Sequence, residues 1–191
     1  MGFFKRMLGD ESDLINELCD HLRQIGLNAT VLESQSVGTQ TFGGLGTAKI
    51  EGRNIEYVQV TKHTQTHPGS KGRSTTSVHY NYHYGLMANV DTSLGDKLKA
   101  EAKPIRKSFF NRTIVDYKWE GGDLAQLLNA DMDLKKILIE EGIDNLWTNP
   151  SENFQYVWIS RRGERKEFPT QKTFEAYDRI AQHIREIVGE R

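Results

Sequence analysis

The stretch VHYNYHYGL, Val78 to Leu86, sets two histidines four residues apart among three alternating tyrosines. Two chemistries come with those residue types. A histidine pair can ligate a transition metal, and a row of phenol rings can stack on bases. Geometry decides between them. The alternation, rich in aromatic residues, marks 77–90 as a strand, and residues four apart on a strand are separated by about 13 Å. His79 and His83 therefore do not share one ion. Side chains at every second position share a face, so Tyr80, Tyr82 and Tyr84 point one way and His79, Asn81 and His83 the other. A metal on the histidine face would need ligands from another strand, and this strand offers no Asp, Glu or Cys there. His63 and His67 in KHTQTHPG are also four apart, in a segment read as loop, and adventitious metal binding is the most they offer. The expectation is no metal and no cofactor.

Three groups of residues remain as binding candidates. Tyr80, Tyr82 and Tyr84 form a face that either packs on a helix, the favoured reading, or meets a partner. The most basic stretch, DTSLGDKLKAEAKPIRKSFFNR, carries Lys97, Lys99, Lys103, Arg106, Lys107 and Arg112 with Phe109 and Phe110 beside them. Pro104 argues against an unbroken helix there, and the stretch reads first as a solvated connection. The third group is the basic tip RRGERK, with Arg161, Arg162, Arg165 and Lys166, read as the turn of a hairpin whose charges are solvated.

Other chemistry finds no support in the sequence. Gly43, Gly44 and Gly46 lack the Lys-Ser/Thr ending of a phosphate loop and lead into a strand, not a helix. Cys19, alone in the chain, makes no internal disulfide and falls inside an amphipathic helix with no base beside it, so it reads as a buried small hydrophobe. The carboxylates Asp116, Glu120, Asp123, Asp131 and Asp133 are accounted for by helix capping and solvation. With no nucleophile, base and orienting group together in one motif, no catalytic residue is assigned.

The elements that would position these residues follow from periodicity. DESDLINELCDHLRQIG puts Leu14, Leu18, Leu22 and Ile25 on one helical face over 10–26, with His21 at its edge as a surface residue. LNATVLES is β-prone, and TAKIEGRNIEYVQVTKH gives two β runs around an EGRN turn. TQTHPGSKGRSTTS reads as a long, mobile hairpin loop. TIVDYKW is a strand. After a Gly-Gly turn, Asp123 is placed to cap one helical piece and Asp131 a second, ending at Gly142. NLWTNP and FQYVWISRRGERKEF are β-prone, the latter with a turn at Arg162-Gly163-Glu164 that makes a further hairpin, and TQKTFEAYDRIAQHIREIV is a long packing helix with His183 just off its apolar stripe.

These elements predict an α+β fold, a curved and mainly antiparallel sheet of hairpins with amphipathic helices over 10–26, 123–141 and 171–188 on one face. At 191 residues, 37% hydrophobic and 27% charged, the chain suits one domain, with two lobes at 1–95 and 108–191 joined by the basic connection as the alternative division. A net charge of −1 argues against a general nucleic-acid binder. No run is long enough to span a membrane, and the N-terminus lacks a signal peptide's apolar region, so cytoplasm is the expected location. Phe3, Phe4, Met7 and Leu8 around Lys5 and Arg6 could touch a membrane surface, but docking on the protein's own core is the favoured reading.

The succession IEGRNIEYVQV, YHYGL, IVDYKW, GGDLAQLLNADMDLKKIL, a hairpin and a closing helix resembles a loose group of uncharacterised prokaryotic conserved proteins over residues 47 to 188. That resemblance implies no activity and transfers no functional residue. The sequence is read as a non-catalytic binding or scaffold protein with an unidentified protein partner, homo-oligomeric through a strand edge or the tyrosine face. The alternative is a nucleic-acid or acidic-partner module built on 97–112 and 161–166.

Overall fold

The computed structural model describes residues 13–32, 36–37, 40–41, 44–68, 74–88, 90, 92–108, 113–151, 156–164 and 166–189. The N-terminal Phe3–Phe4 segment, Gly43, Lys71, Arg73, Phe109, Phe110, Arg112 and Arg165 lie outside them. The strands are β1 (Asn28–Val31), β2 (Ser36–Val37), β3 (Gln40–Thr41), β4 (Gly46–Glu51), β5 (Tyr57–Pro68), β6 (Ser74–Met87), β7 (Ala100–Arg106), β8 (Ile114–Gly121), β9 (Leu146–Pro150) and β10 (Tyr156–Gly163). The helices are α1 (Leu14–Gln24), α2 (Thr92–Gly95), α3 (Asp123–Ala130), α4 (Met132–Glu140) and α5 (Gln171–Val188).

Eight strands form one antiparallel sheet in the order β1-β4-β5-β6-β10-β9-β7-β8, with β2 and β3 paired apart from it. Pairing of β6 with β10 over eight positions joins the two halves of the chain in one sheet. The α+β class and the placement of helices on one face are as the periodicity requires. No described helix is long and apolar enough to cross a membrane.

The core face of the sheet is built by alternation. Ala48, Val58, Val60, Tyr82, Tyr84, Val157, Ile159, Tyr117 and Trp119 are all buried and form one cluster with Leu14, Leu18 and Leu22 of α1, Leu124 and Leu128 of α3, and Phe174, Tyr177 and Ile180 of α5. Thr170 starts α5 by accepting a hydrogen bond from Thr173 N at 3.1 Å, and Gly189 ends it at φ 81°, a left-handed conformation that costs glycine little. The EGRN turn is fastened to this helix. Asp178 accepts from Ile55 N at 3.0 Å and from Asn54 Nδ2 at 3.1 Å, while Arg185 donates to the Asn54 carbonyl at 3.1 Å and to Glu56 at 2.7 Å.

Four features differ from the sequence reading. Arg161 to Gly163 are the end of β10, paired with Tyr82 to Tyr80 of β6, and not the turn of a hairpin, and among the described residues no strand follows before α5. The basic connection is a strand: β7 pairs with β8 along its length and with β9 at Ala100 and Glu101. Pro104 is tolerated because pairing with β9 has stopped by then, so β7 is bonded on one side only. Buried Thr148 fixes the start of β7, accepting from Ala100 N at 2.9 Å and donating to the Leu98 carbonyl at 2.6 Å. The long loop is also largely strand, because β5 continues through Pro68 and β6 begins at Ser74. Threonines at 64, 66, 75 and 76 explain it, since β-branched residues favour the pleated backbone even in a polar run. Finally, Asp123 does not cap α3, whose N-cap is Gly122, and instead faces Lys97 at 3.6 Å. Asp131 does cap α4, accepting from Leu134 N at 3.0 Å.

Candidate functional site

The three tyrosines are not a surface. Tyr80, Tyr82 and Tyr84 are 6%, 1% and 1% exposed and belong to the helix-side core. Tyr84 lies 4.4 Å from the Tyr177 ring and 6.4 Å from Phe174, and Tyr82 donates to the Glu164 carbonyl at 2.9 Å. The strand has to bury one of its faces, and the aromatic face is the apolar one.

The basic residues are matched by neighbouring carboxylates. Lys97 faces Asp123, Lys99 pairs with Asp96 at 2.8 Å, Lys103 with Glu101, Arg106 with Asp144 at 3.2 Å and Lys166 with Glu17 at 2.9 Å. Arg161 turns inward to Glu167 and the Tyr84 and Tyr177 phenols. Burial pushes Tyr177 up to about 12 even with that guanidinium beside it. Lys107 and Arg162 are exposed. By register, β7 beyond Glu101 and β10 beyond Arg161 both run past the start of β9, so the two basic segments leave the sheet at one end. Their charges there are interleaved with Glu101, Asp144 and Glu167, and they do not make a single-sign patch.

The other face of the sheet carries no described helix. Register places Thr47 and Lys49 of β4, Gln59, Thr61 and His63 of β5, His79, Asn81, His83 and Gly85 of β6, and Trp158, Ser160 and Arg162 of β10 on it. At its centre His83 Nδ1 lies 2.7 Å from Ser160 Oγ and Nε2 lies 3.0 Å from Thr61 Oγ1. Burial lowers the His83 imidazole to about 4 and so keeps it neutral. A serine hydrogen-bonded to a histidine is the first half of a nucleophile and base. Here the remaining ring nitrogen meets a threonine instead of a carboxylate, the imidazole is a poor base, and Ser160 is 3% exposed. The trio is a polar tie between β5, β6 and β10. Next to it Tyr57 and Tyr156 are buried in a small second cluster with Leu32 and Trp158.

A second polar group joins α4 to α5. The Asp131 carboxylate, 4% exposed, accepts from Arg179 Nε and lies 2.8 Å from His183 Nε2, while His183 Nδ1 is 3.3 Å from Glu186. Burial alone would raise Asp131, but the bonds from Arg179, His183 and Leu134 N hold it down to about 2. A shallow concavity of about 410 Å³ opens here, bordered by Leu127, Met132 and Asp133. Both ring nitrogens of His183 face carboxylates, which leaves neither for a substrate, and no hydroxyl or thiol lines the hollow. His183 is thus a fastening residue. His21, read as a surface residue, is half-buried and bonds the Pro169 carbonyl at 2.8 Å. Cys19 is fully buried in α1, and burial raises its thiol.

The feature the sequence reading missed is the arm. β4 stops pairing with β5 at Val60 and β10 stops pairing with β6 at Tyr80, so among the described residues His63–Pro68 and Ser74–His79 form a two-stranded ribbon with no third strand paired to it. Residues 62–67 are all exposed. This ribbon puts His63 directly opposite His79. The signal was present in the alternation of Thr61, His63, Gln65 and His67 with Lys62, Thr64 and Thr66, but Pro68 and the glycines drew the reading toward loop. Among the described residues, no three His, Cys, Asp or Glu side chains group closely enough to hold a metal ion. No family model, curated protein or solved structure matches the chain.

Proposed function

We propose that this chain is a non-catalytic binding or scaffold protein that makes its contacts by strand-edge pairing through the β5–β6 arm, with a second copy of itself as the first partner. The arm carries the reading: among the described residues no third strand pairs with the ribbon, and such an edge presents outward backbone donors and acceptors, which sheets otherwise cover or block. The tyrosine face is buried, so of the two surfaces offered for self-association the strand edge is the one left. The absence of a completed triad at His83 and at His183 supports a binding role over a catalytic one. The test is light scattering across a concentration series on the intact chain and on a variant in which an Asn-Gly turn joins Lys62 to Tyr80. The expected result is a concentration-dependent dimer that the variant, with an unchanged circular dichroism spectrum, fails to form. A strict monomer in both proteins overturns the reading.

A second reading, the nucleic-acid or acidic-partner module, is favoured by one observation. Between Glu56 and Asp91 there is no Asp or Glu, while Lys62, Lys71, Arg73 and four histidines fall in that span. An arm without negative charge can approach phosphates, although 97–107 and 161–166 bring their carboxylates with them. Fluorescence anisotropy of a labelled oligonucleotide at low salt tests this, and a flat titration removes it.

A further inference from the structure

On a strand, histidines four apart are held too far apart to share an ion, and this applies to His63 with His67 and to His79 with His83. The register supplies a different pair. His63 on β5 and His79 on β6 stand directly opposite each other in the antiparallel ribbon, so their side chains leave from the same face. Residues so placed have Cβ atoms about 4.5–5.5 Å apart. An imidazole nitrogen binds a metal at about 2.0–2.1 Å, and two rings rising side by side from that spacing can close on one ion. The ribbon backbone fixes both, so chelation does not require ordering a loop.

The next pair toward the body, Thr61 and Asn81, lies on the same face. Asn81 Oδ1 is a buried oxygen with no hydrogen-bond partner among the described residues. It follows His79 by two positions, about 7 Å along the strand, and offers a neutral oxygen beside the two nitrogens. The donor set selects the metal. With no carboxylate between Glu56 and Asp91, the face does not suit Ca²⁺ or Mg²⁺, which need several oxygen ligands. Imidazole nitrogens suit Cu²⁺, Ni²⁺ and Zn²⁺, with Cu²⁺ the strongest by the usual order. Among the described residues the nearest cation by register on this face is Arg162, opposite Asn81 on β10. His79 lies beyond the last β10 pair, Gly163 with Tyr80, so the imidazoles stand clear of the strand that carries it.

We propose that His63 and His79, with Asn81 beside them, form a transition-metal site on the helix-free face at the base of the arm, its remaining positions open to water or to a donor from a bound partner. This site is independent of strand-edge association, since it needs only one chain. The experiment is calorimetric titration of the untagged, chelator-treated full-length protein with Cu²⁺ and with Zn²⁺ in a non-coordinating buffer. Electron paramagnetic resonance of the Cu²⁺ form then reads the number of bound nitrogens. One equivalent is expected to bind, with hyperfine structure from two imidazoles. His63→Ala and His79→Ala should each lower affinity at least about tenfold, and His67→Ala and His83→Ala should leave it unchanged. Failure to bind one equivalent overturns the proposal, and so does binding that survives either His63→Ala or His79→Ala. Because His63 and His79 are on the arm, outside the core, their variants keep the fold, and circular dichroism spectra matching the native chain check this for all four proteins.

Discussion

The Trp158 indole lies across Gly85: a Cβ built at position 85 would sit 2.3 Å from Trp158 Cζ3 and 2.7 Å from Cε3. The two residues are register partners on β6 and β10. The indole has little room to move, being stacked on Tyr156 at 5.8 Å and met edge-on by His83 at 6.2 Å. Gly85→Ala is therefore expected to destabilise the protein by about 1–3 kcal/mol, as overpacking does, against the small gain a strand normally draws from losing a glycine. A double-mutant cycle in urea separates the two effects. In a Trp158→Ala background the clash is gone, and Gly85→Ala should become neutral or mildly stabilising. An equal loss in both backgrounds would show that the indole is not the cause.

Asp131 fastens three things with one carboxylate, namely the first turn of α4, Arg179 and His183. Asp131→Ala removes a helix cap, usually worth about 1 kcal/mol, and leaves two basic groups on α5 without their buried acceptor. A loss of about 2–3 kcal/mol in urea unfolding is expected. Asp131→Asn keeps an oxygen for Leu134 N and should lose less. If Asn and Ala cost the same, the cap contributes nothing and the stabilisation lies wholly in the contacts to α5.

How much of this was legible depends on what kind of signal each element carries. α5 was readable over 171–188, because Phe174, Tyr177, Ala181 and Ile184 repeat at helical spacing. The tyrosine row was readable as a helix-packed face because strand alternation fixes which side chains point together. β7 was not, since its neighbours β8 and β9 come later in the chain and Lys97 to Lys107 read as solvent-loving charge. What makes it a strand is its partner, including the Thr148 hydroxyl some fifty residues away. The His63–His79 pair was hidden for a related reason: cross-strand register depends on turn length, and the turn was read as far longer than it is. The polar tie at His83 could not be read at all, because Thr61 and Ser160 reach it from two different strands.

That tie makes stability depend on pH. His83 falls from an ordinary value of 6.5 to about 4 in the folded chain because burial disfavours the charged ring. In the unfolded chain it titrates near 6.5, so between pH 6.5 and 4 the unfolded state binds more protons, and stability rises with pH across that window. The contribution is complete above about pH 6.5 and is lost as the pH falls toward 4, with no further loss from this group below. At about 1.4 kcal/mol per pH unit the interval comes to roughly 3 kcal/mol. Urea unfolding at pH 7, 6, 5 and 4 should trace that decline in the native chain. His83→Gln can still reach the Ser160 and Thr61 hydroxyls but has no proton to gain, so its stability should fall far less over the same range. An identical decline in the two proteins would place the acid sensitivity elsewhere, with the carboxylates the next groups to examine.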